Sequence, residues 1–152
     1  MAKTQREPVA TRAAFLRFVP LTVRWKDLDS FGHVNNAEIY SYFDTAIVSF
    51  LLEIGAFAVR EGPFVAMVVE SGARFHREVK FGASISVGLA ITEIGTSSVR
   101  YRIGVFQGAD DLASADGFFV HVFVGRESRR PAPILPEIRK AFEALLVKGV
   151  DG

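Results

Sequence analysis

A strand-like run, Val23-Arg24-Trp25-Lys26, gives way to Asp27-Leu28-Asp29-Ser30-Phe31-Gly32-His33-Val34-Asn35-Asn36. Two carboxylates, a glycine, an imidazole and two amides crowd into this short segment, where a structural loop needs only one or two polar groups. A helical pattern follows it. Helix N-termini present unpaired N–H groups and a partial positive charge. A carboxylate held beside such a terminus, with a polarised carbonyl between them, is a geometry suited to acyl transfer.

Each residue also has a plainer reading. Asp29 fits an Asx-turn, and Asp27 a turn or capping position. His33 suits an acid/base role or a hydrogen bond that positions the loop. Asn35, with Glu38 three residues on, resembles a capping box in which Asn is the cap. Asn36 is close enough in sequence to orient a carboxylate or a water. Tyr40, one turn into an apolar helix, reads as core. Asp27, Asp29 and His33 also resemble a hard-cation set. One loop with two carboxylates and a His offers few ligands, however, and His76 and His121 have no paired spacing, so no metal site is expected. As a glycosidase pair the two carboxylates are too close to flank a sugar ring.

The flanking elements must position this loop. Between residues 18 and 26, Val19, Leu21, Val23 and Trp25 alternate with polar neighbours, which predicts a strand. From 37 to 54, Ile39, Phe43, Ala46, Ile47, Phe50 and Ile54 recur at three- and four-residue steps, which predicts a largely buried helix ended by Gly55. Strands are expected near 64–70, 72–79, 84–93, 97–107 and 112–125, the first two being one strand if the chain bends at Gly72. Turns at 94–96 and 108–111 fit hairpins. A second, amphipathic helix is expected over 136–148, opened by Pro136. Residues 1–17 read as a poorly ordered tail and 18–148 as a single domain. One helix laid across a curled antiparallel sheet gives both a common core, an α+β architecture, and leaves an edge strand free to pair with a second copy.

Composition narrows the rest. The 152 residues carry a net charge of +1, with no electrostatic footprint for nucleic acid or an anionic membrane. With no cysteine there is no disulfide, thiolate zinc site or cysteine nucleophile. Fourteen Phe are a heavy load for one small core, and some could line a cavity or a subunit interface. Residues 1–8 lack the apolar run of a signal peptide, and no apolar stretch approaches the ~20 residues of a membrane span, so the cytoplasm is expected.

The segment Asp27, Asp29, Gly32, His33, Val34, Asn35, Asn36 and Tyr40 resembles the signature of the 4-hydroxybenzoyl-CoA thioesterase family of hotdog proteins. Weaker similarity runs over residues 18–126, through Ala73-Arg74-Phe75, Val79-Lys80-Phe81-Gly82 and Gly95-Thr96-Ser97-Ser98. The resemblance implies the hotdog fold: a long central helix wrapped by a five- or six-stranded sheet. It also implies homodimers, sometimes tetramers, with an active site at the dimer interface and an acyl-CoA substrate. The second aspartate of the pair, the family's catalytic residue, lands on Asp29. It would attack the thioester carbonyl or draw a proton from water, and the sequence leaves both open. His33 and Asn36 are the accompanying candidates. Metal and redox cofactor are not required.

Coenzyme A brings phosphates, which call for basic side chains. Arg74, His76, Arg77 and Lys80 form the first candidate cluster, and Arg126, Arg129 and Arg130 the second. On a regular strand Arg74 and Arg77 lie on opposite faces, so one alternating set at most faces one groove. Three other readings stand beside hydrolysis of acyl-CoA: a thioester carried on acyl carrier protein, a non-catalytic acyl-CoA-binding module, and a hotdog hydratase or dehydratase. The last would be expected to pair an Asp with a His about five residues on, one more than the interval from Asp29 to His33.

Overall fold

The computed structural model describes residues 6–56 and 62–148. Strand β1 (Arg17–Thr22) runs through a short 3-10 turn at Trp25–Asp27 into helix α1 (Asn36–Glu53). Strands β2 (Phe64–Phe75), β3 (Ser84–Ile94), β4 (Ser98–Gln107) and β5 (Ala115–Gly125) follow, and helix α2 (Pro136–Glu143) comes last. The five strands make one antiparallel sheet in the order β1-β3-β4-β5-β2. This is the helix-in-sheet arrangement expected from the sequence, with five strands.

Helix α1 turns Ile39, Tyr42, Phe43, Ala46, Ile47, Phe50 and Leu51 into the sheet, whose inward side chains include Val87, Leu89, Val99, Tyr101, Ile103 and Phe119. Each large side chain buried in this way stabilises the fold by about 1.5–3 kcal/mol. Gly117 on β5 leaves room for its neighbours by having no side chain. A Cβ there would meet the Gly72 carbonyl at 2.2 Å and the Phe43 ring at 3.2 Å.

Several expectations change. The strands expected at 64–70 and 72–79 are one strand, β2, as the sequence allowed, but its irregularity lies between Val68 and Glu70 and not at Gly72. It also stops at Phe75, which leaves residues 76–79 as a loop. Trp25 does not continue the buried row of β1. The chain tightens into the 3-10 turn, and the indole, 74% exposed, packs edge-on against Phe81. Helix α2 is shorter than its apolar period. Its continuation bonds instead to β3, Ile91 N–H to Leu145 carbonyl and Val147 N–H to Ile91 carbonyl, each 2.8 Å. The pairing of β1 with β3 has run out at Leu89, so Ile91's backbone groups are free to be met by the C-terminal segment.

The N-terminal segment is a correction too. Residues 1–5 of the expected tail lie outside the described residues, but from residue 6 onward the chain is not frayed. Ala10 and Phe15 are buried against Ala90, Phe106 and Ala113, and Thr11 bridges to Leu112. The apolar residues here are too few to show a period, yet they close a second small core.

Candidate active site

The loop between β1 and α1 is fastened from both sides. Val34 N–H bonds to the Val79 carbonyl at 2.8 Å, and Asn35 N–H to the Asp27 carbonyl at 2.9 Å. Asn35 caps α1 through its side-chain oxygen, which accepts from Ala37 N–H at 2.9 Å. Within the loop, Asp29 N–H donates to the His33 carbonyl and Gly32 N–H to the Asp29 carbonyl. Gly32 has φ +87°, a left-handed conformation that a side chain would strain.

The two aspartates diverge here. Asp27 is fully buried, accepting from Tyr42 O–H at 2.6 Å and Arg24 N–H at 3.0 Å, with the Arg24 guanidinium alongside. Burial pushes its carboxyl up, but the Tyr42 and Arg24 hydrogen bonds outweigh that and hold it below the ordinary carboxylate range. Tyr42 moves the other way: its burial and the Asp27 contact push its hydroxyl well above the ordinary phenol range. Asp27 is therefore a structural carboxylate, held inside the fold by Tyr42 and Arg24. Asp29 accepts one backbone bond, from Phe31 N–H at 2.9 Å, and keeps 24% of its side chain exposed.

Asp29 faces a cavity of about 320 Å3. It is walled by Asp29, His33, Val34, Asn36 and Ile39 from the loop and first turn of α1, and by Phe75 through Val79 with Ala115 from the sheet side. His33 sits with Nδ1 4.0 Å from Asp29 Oδ1 and Nε2 3.2 Å from Glu78 Oε1, its ring stacked on Phe31. The three residues singled out for chemistry thus line one space. Tyr40 is half-buried against Phe43 and Phe119, as a core residue.

The expected basic cluster is split by the structure. His76 and Arg77 line the same cavity as Asp29, and Arg77 pairs with Asp110 at 3.6 Å. Lys80 is exposed and lies outside that cavity's lining. Arg74 is not turned to a phosphate there. Its guanidinium forks onto Asp116 at 2.8 and 2.9 Å and also donates to the carbonyls of Glu7 and Pro8. It lines a separate cavity of about 740 Å3 with Arg100, Arg102 and Phe118. Of the second cluster, Arg126 donates to the Gly62 carbonyl at 2.6 Å, while Arg129 and Arg130 are exposed.

Sequence reasoning missed Asp116 and Glu78. Asp116 is 4% exposed and receives, besides Arg74, the Ala10 N–H at 3.1 Å and lies 3.1 Å from His76 Nε2. Burial pushes its carboxyl up, and the bonds from Arg74, Ala10 and His76 overcome this and hold it down. The available signal was a lone acid inside the apolar run of β5, which must find buried partners.

The motif and this geometry agree with the comparison of the chain with known proteins. Residues 23–142 match the model of the thioesterase-like superfamily. The chain belongs to that superfamily. Among solved structures, the PA5185 protein of Pseudomonas aeruginosa strain PAO1 is 40% identical, with 91% of this chain and 97% of that one covered and a TM-score of 0.88. A thioesterase of Thermus thermophilus, solved with coenzyme A and zinc, is 33% identical over 84% of this chain and 98% of that one, with a TM-score of 0.72. Slr0204 of Synechocystis, a 1,4-dihydroxy-2-naphthoyl-CoA thioesterase, shares the fold at 19% identity over 89% of this chain and 97% of that one, with a TM-score of 0.75. No curated protein matches. The superfamily assignment covers both walls of the Asp29 cavity. Among the described residues no helix is long and apolar enough to cross a membrane.

Proposed function

We propose that this protein hydrolyses an acyl-CoA thioester to a carboxylic acid and free CoA, with Asp29 acting on the thioester carbonyl. The observation that carries the reading is the convergence of Asp29, His33 and Asn36 on one cavity beside the first turn of α1. In that turn Asn35 takes up three amides: its side chain accepts from Ala37, and its carbonyl from Glu38 and Ile39. The Asn36 N–H has no such partner among the described residues and is the natural donor for the oxyanion as the carbonyl turns tetrahedral. Asp29 supplies the electron pair, directly to the carbon or through a water whose proton it accepts. A thiolate leaves more readily than an alkoxide, so one carboxylate can begin the reaction without a triad.

Of the proposed basic residues, Arg77 at the cavity is the best placed to meet a CoA phosphate; Arg74 and Lys80 serve this purpose less well, the first being already paired. The superfamily relative solved with coenzyme A supports a ligand of this type. The working unit is a homodimer formed along β2. That strand is an edge of the sheet, and it exposes Met67, Val68 and Val69 at 43%, 50% and 59%. The opposite edge, β1, is short and carries Pro20, which blunts pairing.

The test follows thiol release from a panel of acyl-CoAs of differing length and aromaticity, with Asp29→Asn as the control. Asn keeps the acceptor for Phe31 N–H but can neither attack nor take a proton. A fall of about 10²–10⁴-fold in kcat with an unchanged melting temperature is expected. Equal turnover by both proteins removes Asp29 from the mechanism. Tight binding without release identifies a non-catalytic acyl-CoA binder.

A further inference from the structure

We infer that His76, oriented by Asp116, is the group that protonates the departing sulfur. This rests on the hydrolase reading above and adds a second participant to it. His76 lines the same cavity as Asp29, in the loop just after β2. Its Nε2 lies 3.1 Å from Asp116 Oδ2. Asp116 is ionised and can only accept, so that nitrogen carries the hydrogen. Nδ1, the other nitrogen, has no protein partner among the described residues, yet it is not among the sealed, orphaned polar atoms. It is therefore the ring's open position, on a side chain that retains 19% exposure beside the cavity.

Asp116 is itself immobilised. Arg74 holds both its oxygens and Ala10 N–H holds one, so the carboxylate cannot swing away from the imidazole. A buried, immobile acceptor behind one ring nitrogen fixes the ring and leaves the other nitrogen as its open position.

Protons and electrons balance whichever way Asp29 acts. When the tetrahedral carbon collapses, its bond to sulfur breaks and the electron pair goes to sulfur. The Nδ1–H of the imidazolium passes to that sulfur, giving free thiol and neutral His76. Where water attacks, its proton has gone to Asp29 and returns through solvent to Nδ1. Where Asp29 attacks, the later water supplies that proton. The balance in each case is thioester plus water giving acid plus thiol. The alternative role for His76, contact with a CoA phosphate, would not depend on which thiol leaves.

The discriminating experiment varies the leaving group. The same acyl group is presented as a thioester of pantetheine, which has the alkylthiol of CoA without its nucleotide phosphates, and as a thioester of an arylthiol, whose thiolate is more stable and needs no proton to depart. His76→Gln keeps a hydrogen-bond donor for Asp116 but has no proton to give. Its loss of kcat/KM relative to wild type is expected to be on the order of 10²-fold with the pantetheine ester. With the aryl ester the loss is expected to be at least tenfold smaller. Asp116→Asn shows the same split, reduced in size, because it acts through the ring. Asp29→Asn loses both substrates alike. The split is a ratio within one protein preparation, so it survives a variant of lowered stability. Equal losses on both esters in His76→Gln would overturn the assignment while leaving hydrolysis by Asp29 intact. Release of thiol from neither ester by wild type would sink the hydrolase reading, and this inference with it.

Discussion

Asp27 and Asp29 stand two positions apart and occupy opposite environments. The first is sealed under Tyr42 and Arg24; the second is tethered by one amide and open to a cavity. Removing a partner from a buried, ionised acceptor leaves its desolvation uncompensated. Tyr42→Phe is therefore expected to lower unfolding stability by about 1–3 kcal/mol in urea melts. Asp29→Asn should change stability little. Gly32→Ala forces a side chain into a left-handed backbone, at a cost of about 1 kcal/mol or more. Its activity is expected to fall further than its stability, because the same turn sets the aim of Asp29.

At the scale of elements, the cap of α1 is the joint between the helix and the loop that carries Asp29. Asn35→Ala should cost about 1 kcal/mol of stability and loosen the helix end beside the cavity. That cap was legible in the sequence, as were α1, the strand order along the chain and the polar loop, because each rests on periodicity or on neighbours within four residues. What was not legible rests on pairings across the chain. Asp116 meets Arg74 forty-two positions away and Ala10 one hundred and six away, so the diversion of Arg74 from any phosphate has no local sign. Trp25 kept the strand's alternation while the backbone turned away, since the turn follows from Asp27 accepting Arg24 N–H. The tail of α2 kept a helical period, but the free backbone of Ile91 captured it for the sheet.

Across the whole molecule, His121 couples folding to acidity. It is 3% exposed, its Nδ1 finds no protein partner among the described residues, and burial lowers its pKa to about 4. An unfolded imidazole takes its proton near pH 6.5, so between about 6.5 and about 4 the unfolded chain binds more protons. Stability therefore falls as pH drops through that window, by about 3 kcal/mol in full. His121→Leu should flatten the melting-temperature profile there relative to wild type. At the same scale, the proposed pairing along β2 predicts that Val69→Lys leaves only monomers in light scattering, with turnover lost in parallel.

The wall that carries His76 is braced from the far end of the chain. Glu7 and Pro8 lend their carbonyls to Arg74, and Ala10 its amide to Asp116. These groups lie between Arg6 and Arg12, two sites at which trypsin can cut. A nick after Arg6 leaves the brace attached, whereas a nick after Arg12 sheds it without touching any residue that lines the Asp29 cavity. A graded digest would thus read the brace directly: catalysis should follow the disappearance of the second bond, not the first.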